Sequence, residues 1–361
     1  SAGTHYPALW IRDLATFVDL ALVYYPREEV AGMVEKFLHH QSPEGEVVDW
    51  VNPRGETGKN TVESDQESSL VIAAHRIWQR DKSWILQEIR GESILLRLAA
   101  ALDWLYKHRL HREYGLLESG FTADFGDVSK DHAGQQALQL TEDTTRVVGI
   151  YTQAKYIQAL DGLLEMLRHR PEGNRMAVRK WEDRRKEMIL RTRQHLYLPD
   201  RGYYLIHRVL AEPDLFEVEK NMLAVGGNAE ALRAGLMTVE EIRRFIRELE
   251  SRREQYRLRS VGFTLVPPYP EGFFQHHLMR RPWHYQNGGE WDWIAGRLIE
   301  GLFSRGFGEP AEDYLLKIAE RAMEEFNFNE WYDRRGNPRG ADHYTGAAGV
   351  MYQAIVAGYR R

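Results

Sequence analysis

The stretch Trp283-His-Tyr-Gln-Asn-Gly-Gly-Glu-Trp-Asp-Trp293 sets four aromatic rings, two amides, two acids and a Gly-Gly pair directly before the apolar run Ile294–Leu302. A helix that only packs has no need of that mixture. Aromatic faces stack on sugar rings, amides and carboxylates bind hydroxyls, and paired glycines let backbone approach a ligand closely. The stretch reads as a ligand-binding loop feeding a helix, with a plain tight turn as the simpler alternative.

Working outward from it, helical periodicity dominates. Val147, Ile150, Tyr151, Ala154, Ile157 and Leu164 repeat at helical spacing, as do Ile94, Leu98, Ala101, Leu102 and Leu105. Ser64-x-x-Glu67 and Thr238-x-x-Glu241 have the form of capping boxes, and Pro310 suits the first turn of a helix. Gly226-Gly227-Asn228 reads as a helix C-cap. The pattern predicts helices over about 11–25, 27–41, 64–80, 84–109, 143–168, 172–196, 216–226, 238–256, 288–305, 309–326 and 341–359. These eleven fall one short of six helical hairpins. Strand signals are scarce, the best being a hairpin arm at Gly202–Val209. No linker rich in Pro, Gly or Ser divides the chain, so residues 1–361 read as a single all-α domain.

The polar and aromatic clusters have a common placement. Arg12-Asp13 opens the first helix, Glu63-Ser-Asp-Gln-Glu67 the third, and Thr122-Ala-Asp-Phe-Gly-Asp127 precedes the fifth. Asn221 falls in the seventh, the Trp283–Trp293 cluster opens the ninth, and Asn329-Glu-Trp-Tyr-Asp333 precedes the eleventh. If helices alternate between an inner and an outer ring, all odd members run the same way. Their N-termini then meet at one end, in one cleft lined with acids and aromatics.

Composition narrows the function. The 361 residues are 43% hydrophobic and 11% aromatic, enough for a sizeable core with rings to spare. A net charge of −5 argues against a nucleic-acid partner. The absence of cysteine excludes disulfides and thiol chemistry. Apolar runs stop well short of the roughly 18 residues of a membrane span, and no basic-then-apolar leader opens the chain, so the reading is a cytoplasmic protein. Metal binding is a poor reading. His39-His40 and His276-His277 are adjacent pairs rather than i, i+4 pairs, and no phosphate loop implies a nucleotide cofactor.

A cleft of acids and aromatics suits glycoside hydrolysis, in which one carboxyl protonates the leaving oxygen and another activates water or attacks. The candidates are Asp13, Asp65, Glu67, Asp124, Asp127, Glu290, Asp292, Glu330 and Asp333. Glu67 is accounted for by its capping box, Asp333 by turn chemistry, and Asp13 and Asp65 have a simple role at helix N-termini. Asp124 and Asp127 flank Phe-Gly in a loop that needs only one turn former, and Glu330 is lodged between Asn329 and Trp331.

At these residues the chain resembles the clan of inverting glycoside hydrolases built on an (α/α)6 barrel. It is most similar to the neutral/alkaline invertases and to the mannosylglycerate hydrolase and processing α-glucosidase group. Ala8-Leu-Trp-Ile-Arg-Asp13 resembles the invertases' ALFIRDF segment, Trp283–Trp291 their WSYHNGGSWP segment, and Glu330-Trp-Tyr-Asp333 with Gly336 their PEYYD segment. Tyr344 falls where those enzymes keep an aromatic before the last inner helix. The chain departs from them at Glu290 and Asp292, where they carry a hydroxyl residue and a proline, and it lacks their DRRMG segment. In its place Thr122–Asp127 resembles the GDWNDG loop of related disaccharide phosphorylases, whose second acid is the proton donor.

The resemblance implies an inverting, exo-acting α-glycosidase for a small glucoside or mannoside, without cofactor. Asp127 is then the acid and Glu330 the base, with Asp124 and Glu290 as their rivals. Arg12, Asp13, Asp65 and Asp124 would hold hydroxyls, joined by Gln286, Asn287, Gly288 and Glu290. Trp10, Trp283, Tyr285, Trp291, Trp331 and Tyr344 would form walls. A sugar epimerase or isomerase using His75, His207 or His276, and a phosphorylase, are the alternatives on the same barrel. Arg280-Arg281 could accept a carboxylate on the aglycone.

Overall fold

The computed structural model describes residues 2–3, 6–59, 62–132, 140–169, 175–211 and 215–359. Twelve helices lie within them. They are α1 (Ile11–Tyr24), α2 (Arg27–His40), α3 (Gln66–Arg80), α4 (Ile94–His108), α5 (Ile150–Arg168), α6 (Arg175–Leu196), α7 (Phe216–Glu219), α8 (Val225–Arg233), α9 (Val239–Tyr256), α10 (Asp292–Ser304), α11 (Gly308–Glu325) and α12 (Thr345–Tyr359). Residues 172–174 of the expected 172–196 helix lie outside the described residues.

Six of these helices pack in a closed circuit. α1 touches α3, α3 touches α5, α5 touches α8, α8 touches α10, α10 touches α12, and α12 returns to α1. Their sequences fit that position. α5, α8 and α10 are buried almost all round, as expected of helices with neighbours on every side. α2, α4, α6 and α11 pack outside the circuit, and α9 lies against the strand Tyr203–Tyr204. α9 and α11 bury only a narrow stripe, Ile242, Phe245 and Leu249 on one and Ala311, Tyr314 and Ile318 on the other. The main core joins both layers, from Leu14 and Val18 to Leu298 and Leu302.

Several sequence expectations are corrected here. The 84–109 helix is a 3-10 turn at Trp84–Leu86, a tight hairpin pairing Glu88–Ile89 with Glu92–Ser93, and then α4. Ser64-x-x-Glu67 forms no capping box. Ser64 donates to the Glu118 carbonyl, while Glu67 accepts from the Val47 amide and the Lys59 ammonium. Thr238 and Glu241 do make the reciprocal box. The 216–226 helix is only the four residues of α7, and Gly226-Gly227-Asn228 opens α8 instead of closing its predecessor. The extra short helix shifts the count, so the inner members after α5 are α8, α10 and α12. Strands are more numerous than the pattern suggests. Gly202–Val209 splits between two pairings, and His207–Val209, Arg146–Gly149, Leu116–Gly120 and Leu110–His111 form an antiparallel four-stranded sheet.

Candidate active site

Side chains at the starts of the inner helices meet one another. Arg12 Nε, in the first turn of α1, lies 3.2 Å from Oδ2 of Asp65, the N-cap of α3. Tyr151 of α5 donates to the same oxygen at 3.4 Å. Tyr344, just before α12, donates to Asp13 of α1 at 3.0 Å. The Gly227 amide of α8 donates to both oxygens of Asp124, at 3.1 and 2.9 Å. Phe125 packs on Trp291 and Trp293 at the start of α10. All six N-termini therefore face one end, where their positive dipole ends favour the acids gathered there.

A small cavity of about 60 Å³ opens among them. Its aromatic walls are Tyr6, Trp10, Phe125, Tyr285, Trp291, Trp293 and Tyr344, and its polar groups are Arg12, Asp13, Asp127, Gln286 and Glu330. The loop 283–291 holds its shape at some local cost, since Trp283 and Tyr285 adopt φ of 64° and 50°, which side-chain-bearing residues rarely do. It is pinned to the loop after α11 by a two-way backbone bridge, Glu290 N to Tyr332 O at 2.9 Å and Tyr332 N to Glu290 O at 2.7 Å.

The two acids assigned from the sequence line the same cavity. Glu330 is buried, and burial pushes its carboxyl up to about 7. The Ala341 amide at 2.8 Å and the Tyr6 hydroxyl at 3.0 Å pull it down, while Asp127 and Asp13 add to the upward push. Its donors are thus neutral, and it has no cation beside it among the described residues. Asp127 accepts from the Gln286 amide nitrogen at 3.4 Å. Asp13 is raised by burial against the pull of Arg12 and Tyr344.

The cavity takes Trp10, Arg12, Asp13, Tyr285, Gln286, Trp291 and Tyr344 from the predicted binding set and leaves out the others. Asp65 is fully buried behind Arg12. Asp124 faces α8 rather than the cavity, and glycine at 227 makes its approach possible. A Cβ on Gly227 would stand 2.7 Å from the Asp124 carboxylate. Burial raises Asp124 to about 7 against the Gly227 and Gly226 amides. Asn287 is spent on the backbone of the segment before the loop, accepting from the Tyr269 amide and donating to the Tyr269 and Met279 carbonyls. Gly288 donates to Thr264. Trp283 packs between Tyr256 and Arg334, and Trp331 against His284 and Tyr285.

Glu290 is the largest correction. It is buried outside the cavity, and its carboxylate is saturated by the Arg259 amide, the Ser260 hydroxyl and the Arg321 guanidinium, each at 3.1 Å. Arg321 also holds Asp292 and stacks on Tyr332. Both acids where the chain departs from the invertases thus belong to a structural clamp.

The histidines of the epimerase alternative do not line the cavity. His75 pairs with Glu165 at 2.8 Å, and His207 with Glu219 at 3.1 Å. His276 stacks on His132 and His277. Arg280 and Arg281 are exposed and lie off the cavity wall. Among the described residues no group of three His, Cys, Asp or Glu is placed to hold a metal ion, and no helix is long and apolar enough to cross a membrane.

Three lining residues escaped the sequence reading. Trp293 and Phe125 lay inside segments already singled out, where alternation of ring and acid could have marked them. Tyr6 lies upstream of any periodic segment, and only proximity in the fold reveals it.

Comparison with solved structures finds the same fold elsewhere. The GH63 mannosylglycerate hydrolase from Thermus thermophilus in complex with glucose superposes at a TM-score of 0.69 with 16% identity, over 100% of this chain and 95% of that one. The fold is GH63-like. An uncharacterized conserved protein from the same organism gives 0.69 at 15% identity with the same coverage. A rhamnosidase from Klebsiella oxytoca with rhamnose bound gives 0.60 at 14%, covering 100% of this chain and 60% of that one. No family model and no curated protein sequence matches the chain.

Proposed function

We propose that the protein is an inverting, exo-acting α-glycosidase that hydrolyses a small glucoside or mannoside. In this reading the closed helical circuit and its outer layer are an (α/α)6 barrel, and the chain acts as one catalytic domain. The observation that carries the reading is that Asp127 and Glu330 line one small cavity walled by tryptophan and tyrosine. Mannosylglycerate hydrolase structures of the same fold hold glucose, Tris and D-glycerate, which fits a small hydroxylated ligand.

In the reaction, Glu330 as carboxylate removes a proton from water, whose oxygen bonds to the anomeric carbon. The bond from that carbon to the glycosidic oxygen breaks on the opposite face, and the proton on Asp127 passes to the departing oxygen. The products are the sugar with inverted anomeric configuration and the free alcohol, and exchange with solvent returns both carboxyls to their starting forms. Inversion needs the two groups roughly 6.5–9.5 Å apart, to leave room for the water. Trp10, Tyr285 and Trp291 stack on the sugar, while Arg12 and Asp13 take hydroxyls.

The test is a panel of α-linked disaccharides and glycosylglycerates followed by proton NMR. First release of the β-anomer supports the reading, and first release of the α-anomer refutes inversion. Cleavage that requires phosphate would move the protein to the phosphorylases. Turnover of free monosaccharides alone would move it to the epimerases, a reading disfavoured because no histidine lines the cavity among the described residues.

A further inference from the structure

Gln286 is 3% exposed, lines the cavity, and has a polar atom, Oε1, without a hydrogen-bond partner. Its Nε2 donates to Asp127 Oδ1 at 3.4 Å. Leaving a buried acceptor without a hydrogen bond is costly, so its retention at a ligand cavity points to a partner that arrives from outside. The backbone opposite is shaped to admit this amide. Gly126 has φ +128°, and a Cβ there would stand 2.2–2.4 Å from the three amide atoms of Gln286. Only glycine serves at 126, because any side chain would meet both the strained backbone and the amide.

We propose that Gln286 is a positioning residue for Asp127, and that its free Oε1 accepts a substrate hydroxyl. The assignment rests on the hydrolase reading above. By holding Oδ1, the amide leaves Oδ2 to carry the proton and fixes the direction in which it is delivered. The substrate hydroxyl on Oε1 stiffens the amide in turn, so occupancy of the cavity and aim of the acid are linked. A residue with this role matters in proportion to how much the leaving group needs protonation. That dependence separates aiming the acid from merely filling space.

The experiment compares methyl and 2,4-dinitrophenyl α-glycosides of one sugar, glucose or mannose, whichever the wild type cleaves. Gln286→Leu is expected to lower kcat/KM for the methyl glycoside by on the order of 10²-fold, since its poor leaving group depends on general acid catalysis. The dinitrophenyl glycoside, which departs as a stable anion, is expected to fall by less than about 10-fold. Gln286→Met, which keeps the length of the side chain and removes both polar atoms, should show the same selective loss. Circular dichroism checks folding of each variant, and Gln286→Met decides the matter if Gln286→Leu does not fold. Equal losses on the two substrates, or none on either, overturn the positioning role. A wild type that cleaves neither substrate of either sugar overturns the hydrolase reading and this assignment with it.

Discussion

Glu290 and Glu330 sit on two loops joined by one backbone bridge, and they have opposite surroundings. Glu290 receives a guanidinium, a hydroxyl and an amide, and is sealed from the cavity. Glu330 receives a phenol and an amide, lines the cavity, and is raised to about 7 by burial. A buried carboxylate paired with a cation is committed to structure, because removing either partner leaves an unpaired buried charge. One held only by neutral donors can exchange a proton near neutral pH, as a general base must. Asp127 and Asp124, three residues apart, differ instead in placement: Asp127 lines the cavity, whereas Asp124 is turned to the N-terminus of α8.

The sharpest test of this contrast is paired substitution. Glu330→Gln and Asp127→Asn are each expected to lower kcat by on the order of 10²–10⁴-fold while leaving the melting temperature near that of the wild type. Glu290→Gln should reverse the pattern. Because it weakens a buried charge-assisted contact to Arg321, it should lower unfolding stability by about 1–3 kcal/mol in urea titration and leave kcat within a few-fold. If Glu290→Gln is the inactive one, the base belongs there and the comparison is inverted.

A finer test uses the raised carboxyl of Glu330. As a base it works ionised, so the acidic limb of kcat/KM is expected near pH 7. The Tyr6 hydroxyl favours the ionised form, so Tyr6→Phe should move that limb to higher pH. A limb that stays put would show that Tyr6 does not act on the titrating group.

The smallest effect concerns Asp124. Its folded value near 7 lies above the roughly 3.9 of an unfolded chain, so the folded protein holds the extra proton between those values. The stability from this group is complete below about pH 4 and is lost as pH rises through about 7. Asp124→Asn should therefore flatten the fall in melting temperature between pH 5 and 8, by roughly 2–4 °C. An unchanged slope would place that proton elsewhere.

The legible parts of the molecule were those written locally. α1, α2, α5 and α9 follow from apolar spacing, and the Thr238 box from its own four residues. α8 was missed because its opening glycines answer to Asp124, 103 residues away, and locally they look like a helix end. The two-residue strands are too short to carry a period. In the site, the mixture of rings and acids marked the right loops but could not say which way each side chain turns. Glu290 looked like a cavity acid because its partner Arg321 lies on α11, 31 positions downstream.

The pairing of Glu290 with Tyr332 has a dynamic consequence. It ties the loop that carries Gln286 to the loop that carries Glu330 through two backbone hydrogen bonds, so the two loops are expected to open together. The amide protons of residues 290 and 332 should exchange with solvent deuterium at one common rate, and heating should remove the hold on the acid and the base in the same event. No warmed intermediate would then retain half of the machinery, and loss of activity with temperature would follow that local opening ahead of global melting.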